Sequence, residues 1–261
     1  GVFGLKRKKT ANAEQLAKRL ANLDNGRDEM NLSELPFSTL SDRSDGRNVL
    51  EFETEEFNHD IGQMVAGRLT VSGDPKHGLP TAKDEEIYLA QMKYSYDYNR
   101  LSDAEVHFSR STFFELMNWP RNDWAYARLT KGMDRLVGAR LHYQNIWRDN
   151  RNKQWRDRGA FSILDSYKFR DSRTVGAYGS FAEQTSRFRW GAELFESFNC
   201  GYVKRIDYGL VRSLTPAARR LYRYLGKHFY QKDKVPINLA KLAYQHIGVS
   251  KGVALDKARK R

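Results

Sequence analysis

The chain has one cysteine, six prolines and no run of about 18 apolar residues, and each shortage excludes something. A lone Cys200 permits no internal disulfide, which fits a reducing, cytoplasmic setting, and such a residue is expected as a small buried hydrophobe. Without a long apolar run, no membrane-spanning helix is predicted. The opening GVFGLKRKKT also lacks the apolar centre of a secretory signal. Neither GxxxxGK[ST] nor GxGxxG occurs, which argues against a nucleotide-driven motor. Neither HExxH nor a CxxC pair offers a zinc site. His59, His77, His107, His142, His228 and His246 stand singly, with no His-x-His clamp. That argues against a metal-dependent nicking enzyme with a tyrosine nucleophile, despite 14 tyrosines. The expectation is a protein without catalytic residues, metal or cofactor.

What is abundant is positive charge. Lys and Arg total 45 against 32 Asp and Glu, a formal charge of +13 and a pI near 9.7. A surplus of this size favours a polyanionic partner, a nucleic acid or an anionic membrane surface. Hydrophobic residues make up 40% of the chain and aromatics 13%, enough to drive a folded core rather than disorder.

Along the chain, AEQLAKRLANL (13–23) places Leu16, Leu20 and Leu23 on one helical stripe behind the basic KRKK. VLEFETEEF alternates Leu50 and Phe52 in strand fashion, with Glu51, Glu53, Glu55 and Glu56 expected as a solvated face rather than as metal ligands. Thr81 followed by Asp84 predicts a capping box for a helix whose Ile87, Ala90 and Tyr94 recur at helical spacing. Val106 and Phe108 predict a short strand before a helix opened by Ser109 or Ser111. Pro120 closes that helix, and Asn122 or Asp123 opens the next. RLHYQNIW, a polar turn and AFSILDSYKF predict a hairpin, and 171–186 reads as a linker. In the helix opened by Thr215 and Pro216, the spacing turns Leu221, Leu225 and Phe229 to one side. Arg219, Arg220, Arg223 and Lys227 turn away from it. VPINL then reads as a strand before a helix around LAKLAYQHIG. The order helix, strand, helix, turn, helix over 81–137 recurs over 215–261, which fits two winged-helix copies, the second ending before its wing.

The central feature is NDWAYARLTKGMDRLVGARLHYQNIWRDNRNKQWRDRG (122–159). On a helical wheel Tyr126, Leu129, Met133, Leu136 and Val137 share a core face. Arg121, Trp124, Arg128, Lys131 and Arg135 share the opposite one, with no carboxylate among them. Surface helices usually mix signs so that i,i+4 pairs form, so an unmixed basic stripe points to phosphate or bases. The hairpin tip adds Arg148, Arg151, Lys153, Arg156 and Arg158 as expected wing contacts. Trp147 and Trp155 are expected as a cross-strand pair.

Several blocks carry a family resemblance: LPFSTLSDRS, VSGDPKHGLPTAKDEEIYLA, VHFSRSTFFELMNWP, LVGARLHYQNIW with FSILDSY, and GYVKRIDYGLVRSLTPAARRLYRYLGKHFY. In order and spacing they resemble the bacterial, plasmid-type replication initiator protein A family over residues 31–250. That family is similar to two-winged-helix initiators that bind repeated origin sequences. The resemblance implies an α+β fold of tandem winged-helix modules and origin recognition without catalysis. The partners it implies are double-stranded origin DNA in direct repeats, host replication proteins and a homodimer, with autorepression as a further expectation. The expected division is a basic, flexible leader over 1–30, a first winged-helix domain over 31–185 and a second over 186–261. The second domain is read as truncated within its reading helix, in a chain read as a fragment, so Lys251, Lys257 and Arg259 are its only expected contacts. A winged-helix transcriptional repressor and an origin-nicking enzyme stay open as alternatives.

Overall fold

In chain order the elements are β1 (Asn25–Glu29), β2 (Val49–Asn58), β3 (Gln63–Ser72), α1 (Ala82–Asn99), β4 (Glu105–Phe108), α2 (Arg110–Met117), α3 (Asp123–Gly138), β5 (Arg140–Asp149), β6 (Gln154–Phe161), β7 (Leu164–Lys168), β8 (Ser186–Trp190), α4 (Ala192–Asn199), β9 (Val203–Asp207), α5 (Tyr208–Ser213), α6 (Pro216–His228) and α7 (Leu239–Lys241), which runs into a π-helical turn, Leu242–Ile247. This computed structural model describes residues 25–43, 46–58, 61–170, 185–229 and 232–250. The leucine stripe at 13–23 and the basic KRKK lie outside the described residues.

The capping box at α1 forms: the Asp84 carboxylate accepts from the Thr81 backbone N–H at 2.6 Å and from its hydroxyl at 3.0 Å. Sequence periodicity suggested one apolar face, yet α1 is buried on all sides from Ala82 to Ser95, including Asp84, Glu85, Gln91 and Lys93. It is the central helix of the fold. α3 crosses it at Gly132, where an added Cβ would lie 2.4 Å from Ile87 and 2.7 Å from the Asp84 carboxylate, so only glycine permits this approach. α2 ends at Asn118, whose left-handed φ of 56° stops the helix two residues before Pro120. Asn122 then caps α3 by accepting from the Ala125 N–H at 2.9 Å.

Three antiparallel sheets surround the helices, in the orders β2-β3-β5-β6, β4-β8-β7 and β1-β9. In the largest, Leu50, Phe52, Leu69, Val71, Leu141, Tyr143 and Phe161 point inward. Glu51, Glu53 and Glu55 line the outer face as expected, joined by Arg68, Arg140 and His142. Phe108, Phe113, Phe188 and Trp190 cluster beneath β4-β8-β7, and the buried Trp190 indole donates to Ser95 Oγ at 3.0 Å.

The structure corrects several sequence expectations. Residues 25–29, assigned to a flexible leader, form β1 and pair along their length with β9. The hairpin's second strand is Gln154–Phe161. LDSYK leaves it to form β7 in the other sheet. The tryptophans do not pair across β5 and β6. The register set by Gln144↔Arg158 would bring Trp147 opposite Trp155, but a bulge between Gln144 and Trp147 adds one residue and brings Arg156 there instead. Trp147 is 1% exposed and belongs to the core. The segment 171–186 links strands β7 and β8, which pair antiparallel with each other, so it connects the arms of one hairpin; 171–184 lie outside the described residues. The expected domain boundary at 185/186 thus falls between paired strands. No strand forms over VPINL, and Ile237 lies in a segment without regular secondary structure.

Candidate nucleic-acid interface

α3 divides as its wheel predicts on the inner side. Ala125, Leu129, Gly132, Met133 and Leu136 are buried, with Tyr126 and Val137 packed beside them. The basic side is less uniform. Arg121 pairs with Glu115 of α2, both more than half exposed. Arg135 turns inward and binds Asp84 through Nε and Nη2 at 2.6 and 2.9 Å. At 14% side-chain exposure, it is a structural cross-link between α3 and α1, not part of an open basic face. Lys131 is exposed. Arg128 lies with its guanidinium carbon 3.8 Å from the centre of the Trp124 ring and 5.5 Å from that of Trp119. Trp124 is 58% exposed.

The arginines of the β5–β6 tip disperse. Asp149 accepts from the backbone N–H groups of Arg151 and Asn152, closing the turn. Asn150 donates to the Cys200 carbonyl at 2.7 Å. Asn31 exchanges hydrogen bonds with the Arg148 backbone at 2.9 and 3.2 Å. The bulge puts Arg156 on the side of Trp147, where Glu193, Glu196 and Asp149 surround it. Burial opposes its charge, but its hydrogen bonds to Glu196 and Tyr143 and the nearby Glu193 hold it above the ordinary arginine range. The Arg148 guanidinium carbon lies 5.5 Å from the centre of the Trp155 ring, and Lys153 donates to Asn150. Arg151 and Arg158 remain exposed, Arg158 beside Arg68 and His142. The tip is anchored to the Asn31 turn and to α4. The hairpin that flanks α3 is β7–β8, joined to it by the Tyr167 hydroxyl donating to Asp134.

Residues 27–253 match the family model of replication initiator protein A. The chain belongs to that family. No curated protein matches it. Among solved structures this initiator is similar to domains 2 and 3 of RctB, at 10% identity and a TM-score of 0.59, covering 88% of this chain and 82% of that one. A second RctB structure of the same domains gives 11% identity, a TM-score of 0.54, and coverage of 88% and 79%. At these identities the likeness is one of fold, a mixed α/β architecture.

In the initiator's α6 the basic side is the buried one. Arg219, Arg220 and Arg223 are 2%, 4% and 2% exposed, while Phe229 on the opposite side is 42% exposed. Arg223 grips Asp28 with two bonds of 2.9 Å and donates to the Leu32 carbonyl at 2.8 Å. Arg220 reaches Glu85 at 3.0 Å and the Ile247 carbonyl at 2.8 Å; Arg219 reaches Glu86 at 2.8 Å. Lys227 and His228 meet Glu34. Burial alone would raise Glu85, but Arg220, Arg223 and Arg219 outweigh it and hold the carboxyl at about 2. The signal available in the sequence was the acidic first turn of α1, DEE at 84–86, together with Asp28 and Glu34.

No group of His, Cys, Asp and Glu among the described residues could hold a metal ion, and no described helix is long and apolar enough to cross a membrane. Cys200 is a half-buried free thiol. Lys251, Lys257 and Arg259 lie outside the described residues.

Proposed function

We propose that this initiator binds double-stranded origin DNA, sequence-specifically and without catalysis, through a winged-helix unit of α1, β4, α2, α3, β7 and β8. The observation that carries this reading is the sheet order β4-β8-β7, in which the strand between α1 and α2 pairs with the second arm of the hairpin that follows the helices. α3 is then the reading helix, and β7 and β8 are the arms of the wing. Arg128 and Lys131 face DNA, with Arg121 able to exchange Glu115 for phosphate. Arg151, Lys153 and Arg158 supply charge from a second surface. α6, the irregular segment 232–238 and the helical stretch 239–247 begin a second module, with Lys251, Lys257 and Arg259 as its DNA contacts. The divide between modules then falls after Trp190. Direct repeats in the origin, recruitment of host replication proteins, a homodimer and autorepression belong to the same proposal.

A footprint on the DNA flanking the gene tests it. Protection of direct repeats spaced by whole helical turns is expected, and protection confined to a promoter would favour a repressor. Incubation with supercoiled origin plasmid and a divalent metal should leave the circles intact; site-specific nicks would overturn the non-enzymatic reading.

A further inference from the structure

We infer that Trp119 and Trp124 form a holder for Arg128, fixing its guanidinium so that its edge meets the O6 and N7 acceptors of one guanine in the major groove. The inference rests on α3 being the reading helix. Arg121 and Arg135 are occupied by Glu115 and Asp84. Arg128 has neither an ion pair nor a side-chain hydrogen bond among the described residues, and its guanidinium carbon lies over the Trp124 ring, 3.8 Å from its centre, with the Trp119 ring centre at 5.5 Å. Stacking engages the faces of a guanidinium and leaves its in-plane N–H donors free. Two of those donors match the paired acceptors of guanine.

The placement supports this role. Asn122 caps α3, so Trp124 lies in its first turn and Arg128 in its second, the end of a reading helix that approaches base edges. An exposed arginine normally loses rotamer freedom when it binds. One already held over the Trp124 ring, with Trp119 nearby, loses less, which favours a two-bond contact over a mobile point charge. It also accounts for an indole left 58% exposed on a polar helix surface. Trp124 is thus a positioning residue, acting on the base through Arg128.

The test uses the full chain, the footprinted duplex, a random duplex and a panel in which each G·C pair is replaced in turn. Affinity is read by fluorescence anisotropy. For the wild type, one guanine should matter by about 10- to 100-fold, the range of a two-bond arginine contact, and 7-deazaguanine there should reproduce much of the loss. Arg128→Lys should abolish discrimination at that position with little change on random DNA. Trp124→Ala should reduce discrimination at the same position, and Trp124→Phe should restore most of it. Thermal midpoints close to wild type for each variant exclude misfolding as the cause. Equal losses for Trp124→Ala on specific and random DNA, or losses mapping to a different base from those of Arg128→Lys, overturn the holder while leaving the reading helix in place. If the wild type shows no base preference on any duplex, the DNA-reading proposal falls and the holder falls with it.

Discussion

Arginine side chains in this initiator have two fates that look alike on a helical wheel. In α6 an unmixed basic stripe is buried against carboxylates from distant elements; in α3 one member, Arg135, is captured the same way while Arg128 stays open. The wheel reports which residues share a face and says nothing of what lies opposite. The consequence is measurable. Arg223→Ala leaves Asp28, 0% exposed, without its paired arginine and takes from Glu85, 2% exposed, one of the two arginines that pair with it. The expected loss is about 3–5 kcal/mol in urea unfolding. Arg121→Ala removes a pair whose side chains are 53% and 60% exposed and should change stability by less than about 1 kcal/mol. Similar losses for both would refute the distinction.

At the scale of elements, local signals were legible where the chain decides its own conformation. The Thr81–Asp84 box, the Asn122 cap and the start of α6 at Pro216 follow from residues in contact along the sequence. The bulge in β5, the partner of β1 and the pairing of β7 with β8 were not legible, because each depends on a strand far away in sequence. Gly132 belongs with these. On propensity alone, Gly132→Ala should stabilise an exposed helix by about 1 kcal/mol. Here the methyl meets Ile87 and Asp84, so the variant should instead be destabilised by about 1–3 kcal/mol, and a raised thermal midpoint would contradict the crossing.

The π-helical turn offers a pH prediction at the same scale. His246 packs on Tyr224, near Glu34, Lys241 and His228, and burial depresses it to about 4. Between its ordinary 6.5 and about 4 the unfolded chain therefore binds more protons than the fold, so stability falls as pH falls through this window. The slope from one such group is at most about 1.4 kcal/mol per pH unit. His246→Phe should flatten the thermal midpoint between pH 6.5 and 4.5; an unchanged slope would assign the effect elsewhere.

Over the whole molecule, α1 is the shared support. α3 is tied to it through Asp84 and α6 through Glu85 and Glu86, while β8 closes the sheet that covers its far end. Composition pointed only to a polyanionic partner, and the block order to the family. Neither reported that basic residues late in the chain complete an acidic interior built early in it. That closure makes a sharp claim about dissection. A fragment ending at residue 185 loses Phe188 and Trp190, both fully buried, and leaves Asp28 and Glu85 facing no arginine. Glu85 is stabilising above its ordinary 4.5 and loses that contribution as pH falls toward about 2, whereas burial raises Glu29, whose ionisation works against the fold. Without α6 both carboxylates oppose folding at neutral pH. The fragment 1–185 should therefore fail to unfold cooperatively in urea and be degraded by protease under conditions in which the 261-residue chain survives. A sharp unfolding transition from that fragment would show that the first module stands alone and that the α6 arginines only join it to the second.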